Sequence, residues 1–593
     1  MNKDKNNHLM IMRHSCSHVM AAAVLKFYPK VKFGIGPAIE DGFYYDFDFP
    51  KPITENDLEK ISTSMIHFIE AKLPFEKQEV SINEAKKIFK NQPYKLELIE
   101  DLAKEGQKKI SLYKTGKFVD LCAGPHVENT SQICPFKLLS LAGAYWRGSE
   151  KNKMLTRIYG TCFPTEKELE KYLWQIEEAK KRDHRKLNQF LKLYFLSDDV
   201  GPGLATLLPN GTIIAEELEK WAKETEKEWG YTHVLTPHIA KEELFKKTGH
   251  IPYYAASMYP PMRMEEKGEG EKGNYYLKPM NCSMHCLVFK SQPRSYRDLP
   301  LRIAEYGTVY RYEKTGELFG LMRVRGPIHQ NDAHIFCSEE QAEKEFQKVM
   351  ALHQYYYDSL GLTKEDYYLS FAIRGKNDEN KYLGDKKMWG KAEKITLAYI
   401  KKSKIPYEVE EGEAAFYGPK IDFNIKTVTG KVFSASTNQL DFFIPKAFGL
   451  KYTDKDGQEK TPVCIHRAPL GSHVRFLAFL TEHFAGAFPV WLSPVQTIVI
   501  PITDKQNYYG QKIVDKLHEE NIRVELDDRS ETTSAKIRDA ELQKIPYILV
   551  VGDREIQENA VNVRVRGEKV LGLMKIDKFS SLIKEDIDKK RQV

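Results

Sequence analysis

Apolar positions fall into three patterns along the chain. From Thr165 to about Lys192 the sequence TEKELEKYLWQIEEAKKRDHRKLNQFLK lacks Gly and Pro, and Leu169, Leu173 and Ile176 recur at helical spacing. Thr165 followed by Glu168 fits a capping box, so a helix connecting two domains is expected here. From Leu193 to about Pro489, runs rich in aromatic and β-branched residues (LRIAEYGTVYRYE, IDFNIK, VFSASTNQLDFF) alternate with helical stretches such as EEQAEKEFQKVMALHQYYYDSL. That alternation predicts one large sheet flanked by helices. Beyond Pro494, VQTIVIPI, IRVELD and PYILVVGD are separated by two helices, expected at about 508–520 and 534–544. This series predicts a small α/β domain with a parallel sheet. The expected organisation is an N-terminal domain at 1–164, a linker helix at 165–192, a central domain at 193–492 and a C-terminal domain at 493–593.

Composition narrows the class. At about 150 residues per domain, 593 residues suggest roughly four domains. A hydrophobic content of 41% with 29% charged residues suits packed domains rather than disorder. A net charge of +7 over this length permits a polyanionic partner without demanding one. No run of about 18 apolar residues occurs, so no membrane-spanning helix and no membrane partner are expected. The N-terminus places His, Ser and Cys where a signal peptide needs an unbroken apolar stretch, which argues against secretion. With only eight Cys, a cytoplasmic, reducing setting is the better expectation.

Candidate chemistry begins near the N-terminus. His14 and His18 stand four apart in HSCSHVMAAAVLKF, on one face of a helical segment, and DLCAGPHV supplies Cys122 and His126. Three imidazoles and a thiol suffice to bind zinc or to activate water, and Asp120 is placed to orient an imidazole. These residues, with FGIGPAIEDGFYYDFDF and NKMLTRIYGT, resemble the editing domain of bacterial-type threonyl-tRNA synthetases. The resemblance implies an α+β editing domain in which His14, His18, Cys122 and His126, with Lys95 and Asp120, line a hydrolytic pocket for mischarged seryl-tRNA. It implies a pocket that activates water without a metal, although a related alanine-specific domain holds zinc on the same set.

In the central domain, LRIAEYGTVYRYEKTGELFGLMRVRG presents Arg311, Glu313 and Arg323, and HRAPLGSHVRFLAFLTEHF presents Arg475 at the start of a helical pattern. A strand Arg suits bidentate hold of a phosphate, and a carboxylate two residues on shares its side of the strand. No GxxxxGK[ST] is present, which excludes a P-loop. Together the segments resemble motifs 2 and 3 of class II aminoacyl-tRNA synthetases, and THVLTPHI with Pro237 resembles motif 1, the dimer-forming element. The resemblance implies an antiparallel-sheet catalytic domain, Arg311 on the α-phosphate of ATP, Glu313 on adenine, Arg475 on the terminal phosphate, Mg2+ with ATP, and a homodimer. Cys282, His334 and His466 have the composition of a catalytic zinc with an open position, and their match to the threonine family implies one zinc ion there. Such a metal separates threonine from valine, which an apolar pocket discriminates only about a hundredfold. Asp332 would accept the hydroxyl proton, while Arg323, Gln330, Tyr417, Lys420 and Gln439 match substrate contacts, and His250 matches a histidine of the transfer step.

The last hundred or so residues resemble a small α/β anticodon-binding domain, with Glu555 and Arg564 at base-reading positions and Lys536 and Arg538 as phosphate contacts. Several positions depart from the family. The Arg usual after the first cysteine is Ala123, Pro-Gly after Cys282 is Ser283-Met284, and His329 is added in RGPIHQNDAH. Gln-Cys-Gly is Ser434-Ala435-Ser436, Met-Glu beside Arg475 is His473-Val474, and an Asn is Ser530. Ser436, in place of a Gly, is expected to narrow the pocket. With His14 so near the first residue, the ubiquitin-like module that begins most bacterial members is expected to be absent. The expected partners are tRNA(Thr), ATP and threonine. The rival expectation is a non-catalytic tRNA-binding paralogue, which has no need of the zinc residues or the motif arginines.

Overall fold

The computed structural model describes residues 3–133, 135–264, 273–376, 382–567 and 569–593. It divides into two compact units, Met1–Ile176 and Glu177–Val593. Among the described residues no helix is long and apolar enough to cross a membrane.

The first unit is built on helix α1 (Lys3–Phe27). Its fully buried Ala21 and Ala23 present almost no side chain, so the helix packs closely on the strand Gly42–Asp48, whose Phe43, Tyr45 and Phe47 are also fully buried. That strand pairs antiparallel with Met154–Cys162, which pairs antiparallel with Phe136–Tyr145. A separate antiparallel sheet runs Glu76–Ser81, Lys109–Thr115, Phe118–Leu121. Both sheets fit the expected α+β class.

The connecting segment departs from the single helix expected. Thr165 and Glu168 form the foreseen cap, with Glu168 N donating to Thr165 Oγ1 at 3.2 Å, and α2 runs Glu166–Arg182. It stops at Asp183, whose carboxylate accepts from Arg185 N at 2.9 Å and so caps a second helix, α3 (His184–Leu191). An Asp side chain that satisfies a free amide favours a new helix start over continuation.

The second unit is organised by an eight-stranded sheet. Its strands are β1 (Thr232–His233), β2 (Leu301–Val309), β3 (Ile328–Cys337), β4 (Tyr367–Ile373), β5 (Tyr407–Glu411), β6 (Lys420–Lys426), β7 (Val432–Asp441) and β8 (Val463–Ala468). Their order is β1-β2-β3-β8-β7-β6-β4-β5, antiparallel except for the outermost pairs β1/β2 and β4/β5. One face is covered by α4 (Pro209–Glu228), α6 (Glu339–Ser359) and α7 (His473–His483), which share the largest apolar core with it; α5 (Cys282–Lys290) belongs to a separate apolar cluster with Ile303, Phe336 and Cys464. Under the sheet, Arg467 of β8 meets Glu226 of α4 at 2.6 Å, with both side chains fully buried. The guanidinium also stacks on Tyr231, 4.2 Å from the ring centre.

The C-terminal sheet has the order 524–526, 497–501, 547–551, 560–565, 569–575. Its first three strands are parallel, as expected. The last two run antiparallel, so the sheet is mixed rather than parallel throughout. Arg523 fastens it to the rest of the unit, donating to Glu217 of α4 at 2.7 Å and to the Trp491 carbonyl at 2.6 Å.

Glu226→Ala leaves the Arg467 charge buried without its partner. It should destabilise the second unit by roughly 3–5 kcal/mol in urea unfolding followed by tryptophan fluorescence, whereas Glu226→Gln should cost less. A midpoint unchanged by Glu226→Ala would contradict the importance given to the pair.

Candidate functional site

In the first unit, α1 carries His14 and His18 one turn apart, and Cys122 follows directly on the strand Phe118–Leu121. His14, His18, Cys122 and His126 place four ligand atoms all within 4.8 Å of one another. Cys122 Sγ lies 3.4 Å from His14 Nε2 and 3.3 Å from His126 Nε2. Neighbouring bonds decide the tautomers. His14 Nδ1 donates to the Pro125 carbonyl at 3.3 Å, which leaves Nε2 as a lone pair. Ser15 Oγ donates to the Ile11 carbonyl and accepts from Val127 N, so His126 Nδ1, 3.0 Å away, donates to it and likewise keeps Nε2 free. Lys95 and Asp120 join as expected: Asp120 accepts from Tyr45 at 2.6 Å, pairs with Lys95 at 2.5 Å and lies 3.6 Å from His18.

Burial keeps this group neutral. It pushes the His14 imidazole down, and pushes His18 and His126 much further, with their mutual repulsion adding to it. The Cys122 thiol is pushed up to about 11, again by burial. Neutral imidazoles with free lone pairs can take a proton from water, and the same four donors are close enough to hold a metal ion.

In the second unit, register gathers residues that are far apart in sequence. His334 opposes His466, His466 opposes Gln439, and Gln439 opposes Lys420. Directly opposed residues share a face, so these four form a row across β3, β8, β7 and β6, and Asp332 and Gln330 extend it along β3. The His334 and His466 rings are 4.5 Å apart. His466 Nε2 donates to Asp441 at 2.9 Å, leaving Nδ1 free. His285 Nε2 donates to Glu305 at 3.0 Å, so its Nδ1 accepts from His334 Nδ1 at 2.8 Å and frees His334 Nε2. Cys282, at the start of α5, is buried, and burial first, then Asp332 and Asp441, raises its thiol to about 12. Two imidazoles with orienting partners and one thiol are the donor chemistry of zinc. Their three ligand atoms are not drawn within 4.8 Å of one another as the four of the first unit are. Tyr417 donates to Gln439, and Asn281 holds Asp332 at 2.9 Å.

Beside this row lies a cavity of about 440 Å³ bordered by Arg311, Glu313, Arg323, Gln330, Lys420, Gln439 and Arg475. Arg311 and Glu313 are not the strand residues expected from sequence: β2 ends at Val309, and the Arg311 amide instead donates to the Arg325 carbonyl. Arg323 pairs with Glu313 at 2.9 Å. Burial, then the charges of Arg311 and Arg323, lower the Arg475 guanidinium. Arg311 Nε is buried without a partner. Three guanidiniums balanced nearby by Glu313 make a receptor for a polyanion.

Family models match three stretches: the "tRNA synthetase class II core domain (G, H, P, S and T)" at residues 264–484, the "Anticodon binding domain" at 496–586, and the "Threonyl and Alanyl tRNA synthetase second additional domain" at 110–159. The threonine–tRNA ligase of Dehalococcoides mccartyi strain BAV1 is 49% identical over 558 residues, covering 94% of this chain and 93% of the relative. The chain belongs to the threonine–tRNA ligase family. The threonine–tRNA ligase of Rubrobacter xylanophilus is 47% identical, over 95% of this chain and 86% of that one. A crystal structure described as the RNA binding domain of threonyl-tRNA synthetase from Cryptosporidium parvum Iowa II superimposes with a TM-score of 0.63 at 34% identity, covering 68% of this chain and 98% of that chain. The protein is therefore a class II synthetase that charges tRNA with threonine and carries an editing module.

The structure alters several residue-level expectations of this ligase. His250 is fully buried, its Nδ1 bonded to Thr248 at 2.7 Å and its Nε2 3.7 Å from Cys282 Sγ. Glu555 is buried and accepts from Gly552 N at 2.9 Å as part of its own helix cap, so it does not present a free carboxylate. Lys536 is buried on the Asp527 carbonyl at 2.9 Å, which removes it as a phosphate contact, while Arg538 is exposed. Arg564 lies on the strand Ala560–Val565 with Nε buried and unpartnered. The Ser436 hydroxyl is turned to Tyr357 at 2.5 Å and His353 at 2.9 Å, both fully buried, while the residue still borders the cavity. Ser15, Tyr45, His285 and Glu305 were not foreseen; for His285 the available signal was its helical spacing from Cys282 in KPMNCSMH.

The buried imidazoles have a consequence for stability. His14, His18, His126 and His353, the last pushed down to about 3, all lie below the ordinary 6.5 to which unfolding returns them. The unfolded chain then binds more protons below that pH, so their contribution is full above about 6.5 and is lost as pH falls toward 3. Tm should be level near neutrality and drop steadily below about pH 6.5; a Tm unmoved by acidification to about pH 5 would refute the neutral, buried assignment.

Proposed function

We propose a division of labour in which residues 193–492 make and transfer threonyl groups, residues 1–164 hydrolyse seryl-tRNA(Thr), and residues 493–593 read the anticodon. The observation that carries this reading is the row His334–His466–Gln439–Lys420 beside the tri-arginine cavity. Arg311 holds the α-phosphate of ATP, Arg475 the terminal phosphate, and Glu313, freed from Arg323, the adenine, with Mg2+ accompanying the phosphates. The threonine carboxylate attacks the α-phosphate and releases pyrophosphate. A ribose hydroxyl of tRNA then takes the threonyl group and releases AMP, with His250 at the transfer step. Arg323, Lys420, Gln330, Tyr417 and Gln439 position the substrates.

Cys282, His334 and His466 would hold one zinc ion, which when bound supplies a Lewis acid for the amino and hydroxyl groups of threonine. Asp332, fixed by Asn281, accepts the hydroxyl hydrogen and gives valine no partner. In the editing pocket a lone pair of His14 or His126 takes the proton of the attacking water, and the Lys95–Asp120 pair holds His18 in place. Arg564, with Glu555 once released from its cap, contacts the anticodon. A homodimer through the THVLTPHI segment and a cytoplasmic location complete the reading, consistent with the 88% exposure of Leu235 in that segment.

Threonine-dependent pyrophosphate–ATP exchange, with elemental analysis for zinc, tests the synthetic half. Cys282→Ala should lose zinc and exchange while retaining seryl-tRNA hydrolysis; normal exchange in that variant would refute the zinc assignment. The double variant His14→Ala, His18→Ala should let seryl-tRNA(Thr) accumulate with threonine activation unchanged. If no misacylated product appears, the editing roles fall.

A further inference from the structure

Among the described residues, a second group of potential ligands, Asp183, His184 and Glu482, lies outside both sites. Its atoms are already committed to protein partners. Both Asp183 oxygens accept from Arg185. His184 is buried, its Nδ1 is 2.8 Å from Glu482 Oε1, and its Nε2 is 3.2 Å from Leu321 N. The Leu321 amide can only donate, so Nε2 is the acceptor and Nδ1–H donates to Glu482. A neutral imidazole in one tautomer therefore joins three segments: the start of α3, the end of α7, and the loop before β3.

The loop is moulded onto this ring. Gly320 adopts φ +48°, and a Cβ there would stand 2.2 Å from His184 Nε2 and 3.1 Å from Arg185 Cγ. Phe319 packs edge-on against His184 at 5.8 Å and under the Arg185 guanidinium at 4.1 Å. The same turn closes on itself through reciprocal bonds between Phe319 and Arg323, and Arg323 reaches Glu313 in the cavity. On the other side, Arg182 donates to the His483 carbonyl at the end of α7, the helix whose first turn bears Arg475. The two elements that bring Arg323 and Arg475 to the cavity are thus held by one histidine that touches neither the cavity nor its contents.

We propose that His184 is a positioning residue for the nucleotide: through Leu321 and Glu482 it fixes the spacing of Arg323 and Arg475, and so tunes ATP binding without contacting ATP. The proposal rests on reading the tri-arginine cavity as the ATP site.

The test is exchange kinetics with ATP and threonine varied separately. His184→Ala, which removes both bonds of the ring, should raise the KM for ATP about tenfold, the net scale of a hydrogen bond, with the KM for threonine and seryl-tRNA hydrolysis unchanged. His184→Gln, whose amide can accept from Leu321 N and donate to Glu482, should recover most of the loss. Gly320→Ala, which forces the loop off the ring without removing the histidine, should reproduce the His184→Ala signature and decides the matter alone if His184→Ala fails to fold. An unchanged KM for ATP in Gly320→Ala, equal rises for ATP and threonine, or His184→Gln no better than His184→Ala would overturn the proposal. Arg475→Ala separates the two readings. If it leaves the KM for ATP unmoved, the nucleotide reading falls and takes the proposal with it. If it raises that KM while Gly320→Ala does not, only the clamp falls.

Discussion

The ion pair of Arg467 and Glu226 is the constraint on which the synthetic site depends. Arg467 directly follows His466 on β8, so strand alternation sends one into the substrate face and the other into the foundation beneath it. Glu226 also accepts from Asn331, which lies between the substrate-face residues Gln330 and Asp332 of β3. One carboxylate on α4 therefore fixes the undersides of the two strands that carry both histidines. Buried charges add less net stability than their contact suggests, but they tolerate few alternative arrangements. A one-residue slip of β8 would turn His466 toward α4 and aim an unpaired guanidinium at the opposite face of the sheet, which makes the register expensive to lose.

The two sites handle charge in opposite ways. In the His14/His18/Cys122/His126 cluster, burial favours the neutral imidazoles and thiol, and the charge pair of Lys95 with Asp120 is balanced internally. A site of this kind holds its proton acceptors ready and asks little of the substrate's charge. In the tri-arginine cavity burial first, and then the charges of Arg311 and Arg323, lower Arg475, with Glu313 opposing them. The Arg323–Glu313 pair is partly exposed and so contributes little to holding the cavity in one arrangement.

Much of this was legible in the sequence, and what was not has physical causes. The capping box at Thr165, the β-rich centre and the first three C-terminal strands follow from local patterning and were foreseen. So were the clusters His14/His18 and Cys122/His126, because each pair is close in sequence. The break at Asp183 was missed because apolar spacing continues across it and only the side-chain bond to Arg185 ends the helix. Arg311 and Glu313 read as strand residues because the aromatic alternation of β2 runs past the point where pairing stops. Glu555 and Lys536 look like surface charges in one dimension, and only the fold shows that a helix cap and a carbonyl consume them. The two zinc-type histidines are far apart in sequence, so only strand register brings them together, while Cys282 comes from helix α5.

That register also bears on why one protein needs both sites. On the proposed reading Asp332 would reject a substrate that lacks a hydroxyl, since its own buried oxygen would otherwise lose a partner. It has no comparable hold on serine, which keeps the hydroxyl and lacks one methyl group. Excluding the smaller molecule from a pocket that fits the larger yields only about 1–3 kcal/mol, because an unfilled methyl-sized space is the whole penalty. No rearrangement of the row His334–His466–Gln439–Lys420 changes that limit, which is set by the size of the missing group rather than by the protein. A second pocket with a different criterion would then be required, and the neutral donors of His14, His126 and Cys122 have the chemistry to activate a water molecule there.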